Sequence, residues 1–95
     1  MQKSEPDKIN VIASFASFTT TRQKRRITPH RFLTRQGHTH VVAQIRRTYT
    51  ERVGDTRHVH FVVQTREGRF FDIVYDSKEM AWYMVLEIED DLLSG

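Results

Sequence analysis

The chain has 95 residues with 38% hydrophobic and 28% charged side chains, the size and balance of one small globular domain. It contains no cysteine, which excludes disulfides, thiolate chemistry and cysteine-based zinc sites. The net charge of +3 hides an asymmetry: residues 22–69 carry twelve basic side chains against Glu51, Asp55 and Glu67, a net of +9, while residues 70–95 are strongly acidic. Such a division suits polyanion binding, and it equally suits one half neutralising the other.

Residues 1–8 are polar and read as a flexible lead-in. From Ile9, the alternation Ile9, Val11, Ala13, Phe15 reads as a strand, with a helix through Ile9, Ile12, Ala13 and Ala16 as the competing reading, and Glu5, Pro6 and Asp7 spoil any signal-peptide n-region. No apolar run approaches the roughly 18 residues of a membrane span, so no membrane partner is expected and the location is read as cytoplasmic. Arg22-Gln23-Lys24-Arg25-Arg26 is a basic connector. Ile27–Leu33 reads as a second strand that Pro29 consigns to an edge.

Three Arg-x-Gly triplets then punctuate β-prone segments: Arg35-Gln36-Gly37, Arg52-Val53-Gly54 and Arg66-Glu67-Gly68. Each glycine supplies the positive φ that closes a three-residue hairpin loop. Strands are expected over Thr39–Thr50, Arg57–Thr65 and Arg69–Tyr75. A three-residue loop at 66–68 sets Val63 against Phe71, Phe61 against Ile73 and Val59 against Tyr75, one continuous apolar face. The same loop at 52–54 sets Ile45 against Phe61 and Ala43 against Val63. For the first turn, three loop residues place Phe32 opposite His40, and two place it opposite Val41.

Trp82, Met84, Leu86 and Ile88 share one face of a final strand, for which a short C-terminal helix is the rival reading. Residues 89–95 form an acidic tail. The expected fold is therefore all-β: about six antiparallel strands in a meander over residues 9–88, closed as a small SH3-like barrel or strongly curled.

The order of Ile9-x-Val11-x-Ala13-x-Phe15, Ile27-x-Pro29-x-x-Phe32, Gly37 with Val41, Phe61-x-Val63, Gly68-x-x-Phe71-x-Ile73-x-Tyr75-Asp76 and Trp82 resembles a family of small uncharacterised bacterial proteins. That resemblance implies a β fold and carries no activity and no site residues.

Among chemical constellations, His38-x-His40 and His58-x-His60 have a spacing that metals use. The expected register separates the two pairs by roughly 25 Å, at about 3.3 Å per residue. Exposed histidines on a polar face are the simpler reading, and a His-dependent metalloenzyme is a remote one. His58 beside Asp76 lacks a placed serine nucleophile, and Asp72 and Asp76 read as solvated carboxylates, so no catalytic residue, metal or cofactor is assigned.

The polar face carries Gln44, Arg46, Thr48, His58, His60, Gln64 and Phe70, the mixture that single-strand binders use. Arg46 and Arg47 are consecutive, so one of them is expected on the core side with Ile45 and Tyr49. The leading functional expectation is a non-enzymatic module contacting DNA or RNA through Arg22, Lys24, Arg25, Arg26, Arg46, Arg47 and His60. The alternative is a protein–protein adaptor or homodimer using a sheet edge or the acidic tail.

Overall fold

A computed structural model describes residues 7–89 of the chain. The six strands are β1 (Asp7–Phe15), β2 (Ile27–Leu33), β3 (Thr39–Val53), β4 (Thr56–Thr65), β5 (Phe70–Asp76) and β6 (Ala81–Ile88). Consecutive strands pair antiparallel and β1 returns to β6, so the meander closes into a barrel. Closure removes most open sheet edge and encloses the apolar face. The final segment is strand, not helix. Asp7 and Lys8, read as part of the lead-in, already pair with Met84 and Tyr83. The remaining lead-in and the tail beyond Glu89 lie outside the described residues.

The core is the alternating set from the strand patterns. Ile9, Phe32, Phe61, Val63, Phe71, Ile73 and Trp82 form one buried cluster, with Val11, Ile45, Val59, Tyr75 and Met84 packed against it. Each large side chain buried there contributes about 1.5–3 kcal/mol. Val63–Phe71, Phe61–Ile73 and Val59–Tyr75 pair as the loop length requires.

Two of the glycine turns are built identically. The N–H of Gly37 donates to the Thr34 carbonyl and that of Gly68 to the Thr65 carbonyl, at 3.0 and 2.9 Å. The Thr34 and Thr65 hydroxyls accept from the N–H of His38 and Arg69. Both glycines sit at positive φ, 91° and 86°. The first hairpin thus has the three-residue loop, and Phe32 faces His40.

The middle turn differs. Val53 pairs with Thr56, leaving only Gly54-Asp55 between the strands. Gly54, at φ 64°, occupies the first loop position, where a II′-type turn needs positive φ and matches the strand twist. The expected Ile45–Phe61 and Ala43–Val63 pairs are therefore replaced by Ile45–Val63 and Thr48–Phe61. Two bulges in β3, between Val42 and Gln44 and between Ile45 and Arg47, absorb the offset and keep Ile45 inside.

A third irregularity lies opposite the step from Asp72 to Ile73. It keeps Trp82 and Met84 at the core but sends Leu86, 49% exposed, to the outside opposite Asp72. The expected single face Trp82–Met84–Leu86–Ile88 is thus split at Val85.

Pairing around the barrel is uneven. β1 meets β6 only over Asp7–Ile9, and β2 meets β3 only over Arg31–Leu33. β1 and β2 continue as a two-stranded tongue, joined by the basic connector.

Candidate functional site

The bulge between Ile45 and Arg47 decides what the outer face of β3, β4 and β5 carries. In an unbroken strand, consecutive Arg46 and Arg47 would point to opposite sides. The extra residue lets both point outward, so the expectation that one of them lies on the core side is corrected. Arg46 lies over the Phe70 ring at 5.7 Å and donates to Gln64 Oε1 at 3.2 Å. Arg47 lies over the Tyr49 ring at 5.2 Å.

The same step brings Tyr49 to the outside, opposite His60. Their rings stack at 4.5 Å and 6°, so guanidinium, phenol and imidazole form three layers. His60 is buried, contrary to the expectation of exposed histidines. Its Nδ1 meets Asp72 Oδ1 and its Nε2 meets Glu51 Oε1, both at 3.0 Å. The Tyr49 hydroxyl donates to Asp72 Oδ2 at 3.2 Å. Burial and the neighbouring Asp72 carboxylate hold the Tyr49 phenol above its ordinary pKa, so it stays a donor.

Asp72 is therefore not a solvated strand carboxylate: it is 8% exposed and takes hydrogen bonds from two side chains. Asp76 faces His58 across β4–β5, at 3.3 Å. Burial of Asp76 opposes ionisation but is outweighed by the N–H groups of Glu79 and Lys78 and by His58, so its pKa lies below the ordinary value. Ser77 directs its hydroxyl to the Arg57 carbonyl, so no nucleophile joins His58 and Asp76. Both nitrogens of His60 are likewise engaged. No group of three or more candidate ligands among the described residues is arranged to hold a metal ion.

His40 belongs to another site. It is buried, in contact with the Phe32 and Phe71 rings at 5.1 and 4.9 Å, and its Nδ1 approaches Glu67 at 3.4 Å.

The basic connector is only partly brought to the outer face. Thr20 caps the turn by accepting from the N–H of Arg22 and Gln23, and the Gln23 amide donates to the Arg25 carbonyl and Thr28 hydroxyl. Arg25 lines a recess of about 230 Å³ between β2 and β3, beside Gln44 and Ile45 and so next to Arg46 in sequence. Arg26 turns to the opposite side of the tongue, beside Phe15 and Tyr75. Arg22 and Lys24 are exposed on the loop.

Of the arginines and lysines among the described residues, Arg69 and Lys78 reach carboxylates, Arg69 through a bidentate pair with Glu87 at 2.8 and 2.9 Å. Arg25, Arg46 and Arg47 have no such pair among the described residues. Asp72 was missed as a partner of His60 because it was read as solvated, although the β4–β5 register was right, and Tyr49 and Glu51 because an unbulged register was carried through β3. The signal that could have found them was Gly54-Asp55, a two-residue turn sequence that shifts the whole distal hairpin. No helix among the described residues is long and apolar enough to cross a membrane. No family model, curated protein or solved structure matches the chain.

Proposed function

We propose that the outer face of β3–β5 binds single-stranded nucleic acid, with Arg46 and Arg47 contacting phosphates and Arg25 extending the track along the β2–β3 recess. One observation carries this reading: a β-bulge turns two consecutive arginines outward, each against an aromatic ring and neither paired with a carboxylate among the described residues. A guanidinium resting on a ring keeps its N–H edge available for phosphate and loses little freedom on binding. Of the carboxylates at this site, Asp72 is turned onto His60 and Tyr49, and Glu51 is drawn to His60 Nε2.

The test is fluorescence anisotropy with labelled single-stranded DNA, single-stranded RNA and a duplex, across a salt series. Binding should weaken steeply with salt. Arg46→Ala/Arg47→Ala should lower affinity at least about tenfold and reduce the salt slope by about 2, near one unit per lost phosphate contact. No binding to any of the three at low salt would overturn the reading, as would a double variant that binds like the parent with its circular dichroism unchanged.

A further inference from the structure

The two ends of β1 have different surroundings. Asp7–Ile9 pair with β6, but β6 begins at Ala81 and β1 runs on to Phe15. The N–H of Ala16 points to β2, at 2.7 Å from the Arg26 carbonyl. By alternation, the peptide groups of Val11, Ala13 and Phe15 face away from β2, and no strand among the described residues pairs with them there. Val11 and Phe15 border a groove of about 450 Å³ between β1 and the β5–β6 corner, walled by Ile9, Phe15, Tyr75, Met80 and Trp82. A second recess of about 410 Å³ continues it past Phe15 to Arg26.

Three features distinguish this groove from an ordinary surface dip. Met80 is 77% exposed at its lip and holds φ 55°, the one non-glycine residue at positive φ among those described. A large apolar side chain in that conformation costs about 1 kcal/mol and gains nothing by burial here. Phe15 is 57% exposed although its ring edge rests on Tyr75 at 5.4 Å. The charged groups lining the two recesses are Lys8 and Arg26, with no carboxylate. An extended segment with apolar side chains and flanking acids fits this edge, these walls and these charges.

The chain itself contains such a segment: Glu89-Asp90-Asp91-Leu92-Leu93. It is too short to lie along Val11–Phe15 of its own barrel. The groove lies at the Ala81 end of β6, and Ile88 is seven residues further on, about 23 Å away at about 3.3 Å per residue. Leu92 follows Ile88 by four residues, about 14 Å at full extension. We propose that Glu89–Leu93 of one copy adds as a strand to the free edge of β1 in a second copy. Leu92 and Leu93 then contact the Phe15, Met80 and Trp82 walls, and the acids meet Lys8 or Arg26. The contact is head-to-tail, since the tail follows Ile88 and the groove lies at the other end of β6, and it can propagate beyond a dimer.

Analytical ultracentrifugation of the full chain over a wide concentration range tests this. The weight-average mass should rise past that of a dimer and fall back in Leu92→Ser/Leu93→Ser. Met80→Gly should weaken association at least about tenfold. It should leave the urea midpoint unchanged or raised, because glycine relaxes the positive φ. A labelled peptide of residues 87–95 should bind the tail variant and not the Met80 variant. A chain that stays monomeric at every concentration overturns the proposal. So does association that survives the leucine substitutions, whatever Met80→Gly does.

Discussion

His60 is the residue on which the outer face should most depend for stability, and His60→Ala isolates its contribution. The pair with Asp72 is buried on both sides, with side-chain exposures of 9% and 11%. Removing one member of a buried ion pair costs about 3–5 kcal/mol, because the other is left desolvated. The Tyr49 hydroxyl still donates to Asp72, which places the cost near the low end, about 3 kcal/mol. Loss of the parallel stack on Tyr49 adds about 0.5–1.5 kcal/mol. The Glu51 arm, 57% exposed, adds little. The total of about 3.5–4.5 kcal/mol should lower the melting temperature by roughly 15 °C or more in a domain this small. Urea denaturation followed by circular dichroism measures it. In the His60→Ala background, Asp72→Asn should recover about 1–2 kcal/mol, since the carboxamide accepts from Tyr49 and leaves no buried charge. A loss below about 1 kcal/mol, or no recovery with asparagine, would refute the buried-pair account.

Gly68→Ala should cost about 1 kcal/mol of urea stability: nothing lies within 4 Å of the added Cβ, so the loss is conformational, and a neutral result would count against it. Glu67, Asp76 and Glu87 all have pKa values held below the ordinary range: Glu67 by Thr65 and then His40, Asp76 by backbone N–H groups and His58 despite its burial, and Glu87 by Arg69. Their stabilisation is present above the unfolded carboxylate pKa of about 4 and is lost as pH falls through the lower folded values. The urea midpoint should drop over that acid range, and Glu87→Gln should reduce the drop. Tyr49, whose pKa is raised chiefly by burial, stabilises below the unfolded phenol value of about 10 and loses that contribution as pH rises through the folded one. Ultraviolet titration should show a late-ionising tyrosine component that shrinks by one group in Tyr49→Phe.

The barrel was readable because its core alternates and its turns repeat. Val63, Phe71, Phe61 and Ile73 admit one register around Gly68, and the apolar face alone selects it. The outer face was not readable, because a bulge leaves no mark in composition. Alternation in β3 continues plausibly through Ile45, Arg47 and Tyr49, and only the two-residue turn at Gly54-Asp55 shows that Tyr49 has changed sides. The burial of His60 followed from the same displacement. Asp72 looked solvated for a related reason: its donors come from two other strands, and strand-by-strand periodicity does not see them. His40 was hidden differently, placed correctly opposite Phe32 by one loop length but buried by aromatic packing from β5.

Arg46 lets the bulge be separated from the fold. Past the short β2–β3 contact, no strand among the described residues flanks the second edge of β3, and bulges with charged residues are how proteins discourage pairing at such an edge. Deleting Arg46 makes Ile45, opposite Val63, and Arg47, opposite Val62, adjacent in one regular ladder. Ile45 stays inside, and Arg47, Tyr49 and His60 stay outside, so no apolar side chain changes face. The variant loses the Arg46 cover on Phe70 and the hydrogen bond to Gln64, a cost of about 1–2 kcal/mol. It should therefore fold, with a modest fall in urea midpoint. Its β3 edge becomes flat and carries one arginine fewer, so the variant should aggregate more readily and bind oligonucleotides more weakly. Collapse of the fold on deletion would mean instead that the bulge sets the hairpin register. In that case the outward arginines are a consequence of folding and give no support to a binding surface.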